Sequence, residues 1–453
     1  MPKIAVIGGG ISGLTAAYNL RQAKAQPVLF ERGPKLGGAI RSLRHNDWLL
    51  EAGPDSLLRT KPAALQLAQE LGVELLEASS QDPPGIVRGG RVFSLPEGLR
   101  LMAPTRLLPF LMSPVMSWSG KLRALCEALI PRRGDEGDES VGHFVSRRFG
   151  RELMETLAQP LIGGIYAADL SRLSLQATLP MFADMERQRG SVTAGLLAML
   201  GTTPPSKSSL FLSPRNGMES LTSALAQSIP ERDLRRDHSV HALRSSAQGW
   251  ELETSEGVEK FDGVVFACSS QVSSKLLAGI APEIGEALGG TIHVSTATVH
   301  LQLDADQITA PTTGSGFVVP HLEGMDITAC TFAHKKFPHR APEGKALLRV
   351  HLGNAMNQSV LRCDDFQLVE RAVEQVRPLV GLRGQPRESF VARHSRVLPQ
   401  YEVGHRRRVA RAQASLAFYR GLALAGNGLN GVGLSDCITV ARTAAESILK
   451  SLR

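Results

Sequence analysis

The order of apolar and polar positions at the N-terminus is that of a βαβ unit. Lys3–Ile7 is a short apolar run rich in β-branched residues, which predicts a buried parallel strand. The sequence of residues 8–13 is Gly-Gly-Gly-Ile-Ser-Gly, and residues 14–20 have the composition and spacing of a helix. A second apolar run over 27–30 predicts the next strand, which ends at Glu31. The pattern therefore predicts the first unit of a doubly wound sheet.

Later apolar runs predict two further groups of strands. One group returns the chain to the N-terminal fold, with strands at 240–243, 250–254, 261–267 and 422–425. The other group forms an antiparallel sheet, with a hairpin over 85–95 and strands at 292–304, 315–319, 326–332 and 346–353. Helices are expected over 61–71, 218–229, 364–376 and 436–449.

Residues 99–205 are predicted to be a mostly helical insertion, with helices over 121–129 and 141–157. Its first part, 99–118, is apolar and basic, but Pro104, Pro109 and Pro114 exclude one continuous helix. Two interpretations stay open for this part. Its short helices are buried on the core, or they form a peripheral membrane patch. The side chains of that patch would be Leu107, Leu108, Phe110, Leu111, Met112 and Met116.

The glycine-rich turn has the spacing of a dinucleotide-binding fingerprint. Gly8 allows the tight turn, Gly10 lets the backbone approach a pyrophosphate, and Gly13 lets helix and strand pack closely. The helix N-terminus adds free N–H groups and a positive dipole end. The residues expected at the pyrophosphate are Gly8, Gly9, Gly10, Ile11, Ser12 and Gly13. Glu31 is expected at the ribose of the adenosine, and the fingerprint alone leaves NAD and FAD open.

A second glycine pair, Gly37-Gly38, follows a few residues after Glu31 and precedes Arg41. An ordinary NAD domain has no need of such a pair. The segment resembles flavoproteins of the amine-oxidase and desaturase type, in which a glycine pair and a following arginine continue along the cofactor towards the flavin. The resemblance favours FAD.

Composition and charge exclude several other classes. The chain of 453 residues is 43% apolar and 21% charged, which is typical of a globular protein of two or three domains. The net charge of +8 fits an anionic membrane or a polycarboxylate substrate, but no basic run interleaves with aromatic residues, so nucleic acid is not expected as a partner. The five cysteines contain no C-x-x-C pair, which argues against a metal site or a disulfide framework. Without a signal-like or membrane-spanning segment, we expect a cytoplasmic protein, peripheral at most on the membrane.

Several motifs in order resemble the porphyrinogen oxidases of haem synthesis over essentially the whole chain. These motifs lie at 51–56, 95–99, 160–169, 173–174, 328–331, 335–338, 341–344, 398–401, 404–405 and 431–438. The Gly-Pro-Asp-Ser of 53–56 and the Lys-Lys-Phe-Pro-His of 335–339 are most similar to the Gram-positive, coproporphyrinogen-oxidising type.

The resemblance implies an α/β fold of the two-domain flavin amine-oxidase kind. It comprises a discontinuous Rossmann-like FAD-binding domain, an antiparallel-sheet substrate domain and the helical insertion. The FAD-binding domain would comprise 1–75, 206–285 and 406–453. The substrate domain would comprise the hairpin 76–98 and the sheet 286–405, and the insertion 99–205.

The resemblance also implies further FAD contacts. Besides the fingerprint and Glu31, the residues expected at the cofactor are Arg32, Gly38, Ala39, Arg41, Gly53, Pro54, Asp55, Ser56, Val240, Asn427, Val432, Gly433 and Leu434. Val240 would lie near the adenine, and the last helix would point its N-terminus at the flavin ring. No metal is expected and no catalytic residue is assigned, since His334, His339, His394 and His405 all suit surface or core positions.

The implied reaction is the six-electron oxidation of coproporphyrinogen III to coproporphyrin III, with molecular oxygen as acceptor and hydrogen peroxide as product. Protoporphyrinogen IX is the alternative substrate. A flavin amine oxidase or desaturase, and a non-catalytic flavin and porphyrin carrier, are rival interpretations. Other enzymes of haem synthesis are the expected transient partners.

Overall fold

Short runs of residues buried on both faces form a central parallel sheet of five strands. The computed structural model describes residues 1–79, 82–100, 102–135, 137–202, 208–312 and 314–453. The strand order of this sheet is Leu234–Arg235, Gln26–Phe30, Lys3–Ile7, Gly263–Phe266 and Leu422–Leu424. Every neighbouring pair is parallel. The apolar runs are continuous because both faces of the sheet are covered.

Alternate residues of the first strand enter two different cores. Ile4 and Val6 pack in one core under the helices Ile11–Gln22, Ala63–Glu70, Glu219–Gln227 and Leu434–Leu452. Ala5 and Ile7 pack in the other core, which the three-stranded sheet Val240–Ser246, Gly249–Thr254 and Gly257–Phe261 covers. The helices Ser270–Leu277, Pro282–Gly289 and His405–Ser415 complete that face.

A seven-stranded sheet forms the second domain. Its order is Glu388–Pro399, His293–Asp304, Lys345–Leu352, Ile327–Phe332, Gly316–Val318, Gly85–Arg88 and Arg91–Phe93. All pairs are antiparallel except Gly316–Val318 with Gly85–Arg88. One face of the sheet is apolar and packs on the helix Asp365–Val380. The other face carries His300, Arg349 and His394, and it lies against the first domain.

The insertion consists mainly of short helices. They are Leu107–Met112, Trp118–Leu125, Val141–Phe149, Arg151–Leu153, the π-helix Met154–Gly163, Gly164–Tyr166, Leu175–Thr178, Pro180–Arg189 and Val192–Thr202. Arg148 is fully buried among them and pairs with Glu127 and Glu186. This network ties the helices to one another, since a buried guanidinium needs its carboxylate partners.

The remaining elements are small. Three short two- or three-stranded sheets pair Ser42–His45 with Trp48–Glu51, Leu99–Arg100 with Ala103–Pro104, and Phe211–Pro214 with Leu57–Leu58 and Leu75–Glu77. A four-residue α-helix, Ala333–Lys336, follows the strand Ile327–Phe332. The 3-10 helices are Cys126–Leu129, Glu231–Asp233, Ala305–Gln307, His321–Glu323, Pro338–Arg340, Ser359–Arg362 and Leu416–Phe418.

The predicted fold class is confirmed, but several elements differ from the expected ones. The helices Ser270–Leu277, Pro282–Gly289 and His405–Ser415 were not predicted. The strand Glu388–Pro399 was not predicted, because it lies at the sheet edge and half of its residues are polar. The expected helix over 141–157 ends at Gly150, whose φ of 96° is incompatible with a helix. The expected strand over 261–267 is two strands that meet at Asp262. The segment boundaries stay predictions, and the one between 205 and 206 lies outside the described residues.

Candidate cofactor site

The fingerprint glycines are required for two different reasons. A Cβ atom on Gly13 would lie 1.8 Å from the carbonyl oxygen of Gly8, so this position is restricted by the protein itself. A Cβ atom on Gly10 would meet no described protein atom within 4 Å. Gly10 therefore borders open space, as a backbone that approaches a bound pyrophosphate must.

The helix Ile11–Gln22 directs its N-terminus into the same space. Gly10 begins this helix without a side-chain cap, so the first-turn N–H groups stay free for an anion. Ser12 in the first turn lies against the thiol of Cys437, in the first turn of the helix Leu434–Leu452. The two helices that the sequence predicts at the cofactor thus begin side by side.

Glu31 is fixed by the glycine-rich turn. Its two carboxylate oxygens accept the N–H groups of Gly9 at 2.8 Å and Gly33 at 2.9 Å. Each oxygen keeps lone-pair capacity for a further donor, so ribose hydroxyls can still bind there. The backbone of Glu31 pairs with Arg235 and His238, which places the nearby residue Val240 at this end of the site. The side chain of Arg32 is exposed.

Close backbone contacts continue from the fingerprint along the second glycine pair. The N–H of Gly37 donates to the carbonyl of Gly9 at 2.8 Å, and a Cβ on Gly38 would lie 3.2 Å from the Cα of Gly10. A Cβ on Gly53 would lie 1.9 Å from the carbonyl oxygen of Ala39. The backbone is therefore closely packed from the open space beside Gly10 through Gly37-Gly38 to Gly53, and we call the surface along it the groove.

Arg41 lies beside this groove and is half-buried. Its backbone carbonyl accepts the N–H of Ala52 at 2.9 Å. Within the described ranges, its guanidinium has no hydrogen bond or ion pair to the protein. The guanidinium is therefore available to a ligand.

The loop of residues 52–56 closes one end of the groove, and the side chain of Asp55 faces away from solvent. Its carboxylate accepts hydrogen bonds from Lys336 at 3.0 Å and from Ser56 at 2.8 Å. Burial would raise the pKa of Asp55, but Lys336, Arg349 and Arg340 together hold that pKa well below its usual range. The Asp55 carboxylate thus binds protein cations, and its backbone is what remains for a cofactor.

The C-terminal segment packs on the strand Glu388–Pro399, whose His394 contacts the loop 52–56. The side-chain amide of Asn427 donates to the carbonyl of Val397 at 3.0 Å, and the hydroxyl of Tyr401 donates to the carbonyl of Asn427. Val432 packs against the apolar core of the insertion. Gly433 begins the helix Leu434–Leu452, whose Ser435 hydroxyl donates to the carbonyl of Lys61 at 2.7 Å. Segments distant in sequence therefore converge here.

The four candidate histidines occupy structural positions. Ring nitrogens of His334, His394 and His405 face the backbone carbonyls of Leu347, Ala52 and Leu429. Burial lowers the pKa of His339 to about 4.

Sequence reasoning missed a polar group on the sheet face. Arg349 and His351 alternate with apolar residues in the strand Lys345–Leu352, and His300 pairs with Arg349 across the sheet. Burial, with Arg349 nearby, lowers the pKa of His351 to about 3. The sequence does contain a sign of this group. Arg349 and His351 are two residues apart in an otherwise apolar strand, and such a spacing places both side chains on one face of the sheet.

Comparison with known proteins defines the class. Residues 11–449 match the model of the flavin containing amine oxidoreductase family. Cyclohexylamine oxidase from Brevibacterium oxydans IH-35A shares the fold, with a TM-score of 0.73 at 14% identity over 100% of this chain and 99% of that one. The chain belongs to the flavin containing amine oxidoreductases, and the protein is a flavin-dependent oxidoreductase.

More similar relatives narrow the class. The chain is 32% identical to coproporphyrinogen III oxidase from Bacillus subtilis (strain 168), over 99% of this chain and 98% of the relative. It is 33% identical to protoporphyrinogen oxidase from Homo sapiens, over 98% of both chains. A crystal structure from Exiguobacterium sp. 255-15 superposes with a TM-score of 0.89 at 31% identity, over 99% of this chain and 98% of that one. Within its family, the chain is one of the porphyrinogen oxidases, as its motifs predict.

Proposed function

We propose that the protein binds FAD in the groove that runs from Gly10 to the loop 52–56. Gly10 borders open space, whereas Gly13 and Gly53 are held tightly by neighbouring backbone, so the groove is preformed. Glu31 keeps acceptor capacity for ribose hydroxyls. The guanidinium of Arg41, which has no partner among the described residues, lies farther along. Asn427, Val432, Gly433 and Leu434 complete the flavin end.

We further propose that the substrate is coproporphyrinogen III, oxidised to coproporphyrin III. The observation that carries this proposal is the similarity to the Bacillus subtilis enzyme over 99% of this chain. Bound FAD would accept two electrons in each of three rounds and pass them to oxygen, which releases hydrogen peroxide. Protoporphyrinogen IX is the second candidate, because the human relative is named for it.

The described residues provide apolar side chains near the flavin end of the groove and no conspicuous acid–base pair. Tyr401 is buried in the core of the insertion, with Tyr166 and Val432 packed against the same core. Apolar side chains suit a tetrapyrrole, and here they would exclude water from the flavin end of the groove. The work of the protein is then binding, orientation and electrostatics.

Paired initial rates on coproporphyrinogen III and protoporphyrinogen IX test the substrate. We expect faster oxygen-dependent formation of coproporphyrin, with hydrogen peroxide in proportion. Faster oxidation of protoporphyrinogen IX would select the alternative, and faster peroxide formation from polyamines would identify an amine oxidase. A non-catalytic carrier would bind flavin and porphyrin, but its flavin would stay oxidised in an anaerobic mixture with porphyrinogen.

We also propose a peripheral membrane contact through the helices Leu107–Met112 and Trp118–Leu125. Leu107, Leu108 and Met112 are 57%, 70% and 74% exposed, and Trp118 lies exposed on the second helix. Exposed aromatic and aliphatic side chains of this kind insert at a bilayer surface. Phe110 and Met116 are buried and do not belong to this patch. No helix among the described residues is long and apolar enough to span a bilayer.

A further inference from the structure

Three basic side chains of the second domain hold carbonyl groups of the loop 52–56. The Nε2 atom of His394 lies 2.7 Å from the carbonyl oxygen of Ala52, and the guanidinium of Arg349 donates to the carbonyl of Gly53. The guanidinium of Arg340 donates to the carbonyl of Asp55 at 2.5 Å. The carbonyl side of the loop is therefore fixed on the sheet.

The N–H of Ala52 donates to the carbonyl of Arg41, and the later N–H groups of the same loop have no partner among the described residues. Pro54 has no N–H, and Gly53, Asp55 and Ser56 find no backbone or side-chain acceptor in the part of the chain that the structure describes. Gly53 is buried, and free donors in a buried loop call for a ligand. Fixed carbonyls together with free N–H groups give the loop the polarity of an anion-binding wall.

The charge behind this wall is positive. In the described structure, Lys336, Arg340 and Arg349 face only two carboxylates, those of Asp55 and Glu51. Arg340 and Arg349 are 1% and 8% exposed, and the Nε atom of each has no partner among the described residues. Buried charges act over longer distances than exposed ones, because water does not screen them.

The excess of positive charge affects the pKa values of neighbouring side chains. His300 lies opposite Arg349 in the sheet, and burial together with Arg349 holds the pKa of its imidazole well below the usual value. At Glu51, burial is the larger effect and raises the pKa of the carboxyl, while the Arg340 guanidinium opposes that rise. Histidines therefore add no further positive charge, and the three cations set the local potential.

We propose that Arg349 is a positioning residue that raises the reduction potential of the bound flavin. The inference rests on the proposed FAD site. A flavin that accepts a hydride gains negative charge on its ring system, and a wall of N–H groups with a buried cation behind it stabilises that charge. Arg349 contributes in two ways, because it orients the loop through the carbonyl of Gly53 and supplies a positive charge.

Two substitutions of opposite sign test the inference. Arg349→Gln keeps a donor for Gly53 but removes the charge, and Asp55→Asn removes a negative charge from the same cluster. Each holoenzyme is reduced in equilibrium with a dye of known potential. We expect the equilibrium constant for flavin reduction to fall at least tenfold in Arg349→Gln, a shift of about 30 mV for a two-electron couple. We expect it to rise in Asp55→Asn.

Arg393→Gln is the matched control. Arg393 lies on the same sheet and also binds a carboxylate and backbone carbonyls, those of Asp365, Leu361 and Cys363, away from the loop. The equilibrium constant for flavin reduction in Arg393→Gln should equal that of the wild type. Arg349→Lys keeps the charge and should stay within about threefold of the wild type if charge is the main contribution.

The outcomes separate the two proposals. An unchanged constant in both Arg349→Gln and Asp55→Asn, with flavin bound, would overturn the role of the cluster and leave the FAD site intact. If Arg349→Gln does not fold, Asp55→Asn decides, since an unchanged or lowered constant there contradicts the inference. Wild-type protein that takes up no flavin would instead overturn the proposed function.

Discussion

The ammonium nitrogen of Lys336 lies 3.0 Å from the Oδ2 atom of Asp55, although 281 residues separate the two in the chain. The contact joins the loop 52–56 of the first domain to the helix Ala333–Lys336 of the second. Both side chains are nearly buried, so neither charge can recover its hydration if its partner is lost. The motifs at 53–56 and 335–339, which both resemble the same family, therefore contact each other through this ion pair.

Replacement of Lys336 should strongly destabilise the protein. Lys336→Met leaves Asp55 with the more distant Arg340 and Arg349, and we expect a loss of about 3 kcal/mol in the free energy of unfolding. Lys345→Met is the control, because Lys345 pairs with Asp304 at 2.6 Å near the surface and should cost less than about 1 kcal/mol. Denaturant unfolding of both variants measures the difference. Equal losses would show that the buried pair contributes no more than a surface pair.

Gly10 and Gly13 should respond differently to substitution. The Cβ that Gly10→Val adds meets no described protein atom within 4 Å, so the apoprotein should stay within about 1 kcal/mol of the wild type but retain no FAD. Gly13→Ala forces a Cβ against the carbonyl of Gly8 and should lower the thermal midpoint of the apoprotein itself. Flavin absorbance and thermal unfolding separate the two effects. A yellow Gly10→Val protein would count against the pyrophosphate site.

The membrane patch can be tested without damage to the core. Replacement of Leu107, Leu108 and Met112 by Ser changes only exposed side chains, so we expect an unchanged thermal midpoint and reduced co-sedimentation with anionic liposomes. Phe110→Ser is the contrasting variant, because Phe110 is 2% exposed and its loss should cost about 3 kcal/mol of stability. Unchanged liposome binding of the triple variant would mean that these side chains do not contact lipid.

His405 should make stability depend on pH. It is buried against Tyr401 and Leu429, and burial lowers its pKa to about 4. Below the ordinary histidine pKa near 6.5, the unfolded chain binds a proton that the folded chain does not. Stability therefore falls as the pH drops from about 6.5 to about 4, by up to about 1.4 kcal/mol per pH unit from this residue.

His405→Gln removes that contribution. We expect the stability difference between wild type and variant to shrink steadily between pH 6.5 and pH 4.5, as measured by denaturant unfolding at several pH values. A constant difference across this range would show that His405 titrates alike in the folded and unfolded states.

Much of the candidate site follows from local sequence, but the outcome differs between residues. The spacing of Gly8, Gly10 and Gly13 predicts the turn, because Gly8 and Gly13 are restricted by adjacent backbone and Gly10 borders open space. Leu107 and Phe110 are both large apolar residues of the same short segment, yet Leu107 is exposed and Phe110 is buried. Only the packing of the insertion distinguishes them.

The sequence by itself determined the βαβ unit, the glycine-lined turn, the second glycine pair and the return of the last strand and helix to the first domain. These features depend on hydrophobic periodicity and on backbone conformations that few residues allow, and both can be recognised within short segments. Tertiary structure alone decided that Asp55 pairs with Lys336, that Arg349 holds the carbonyl of Gly53, and that the strand Glu388–Pro399 closes the sheet edge. Those contacts join positions hundreds of residues apart or depend on which face of a strand is covered, so the packing of two domains had to place them.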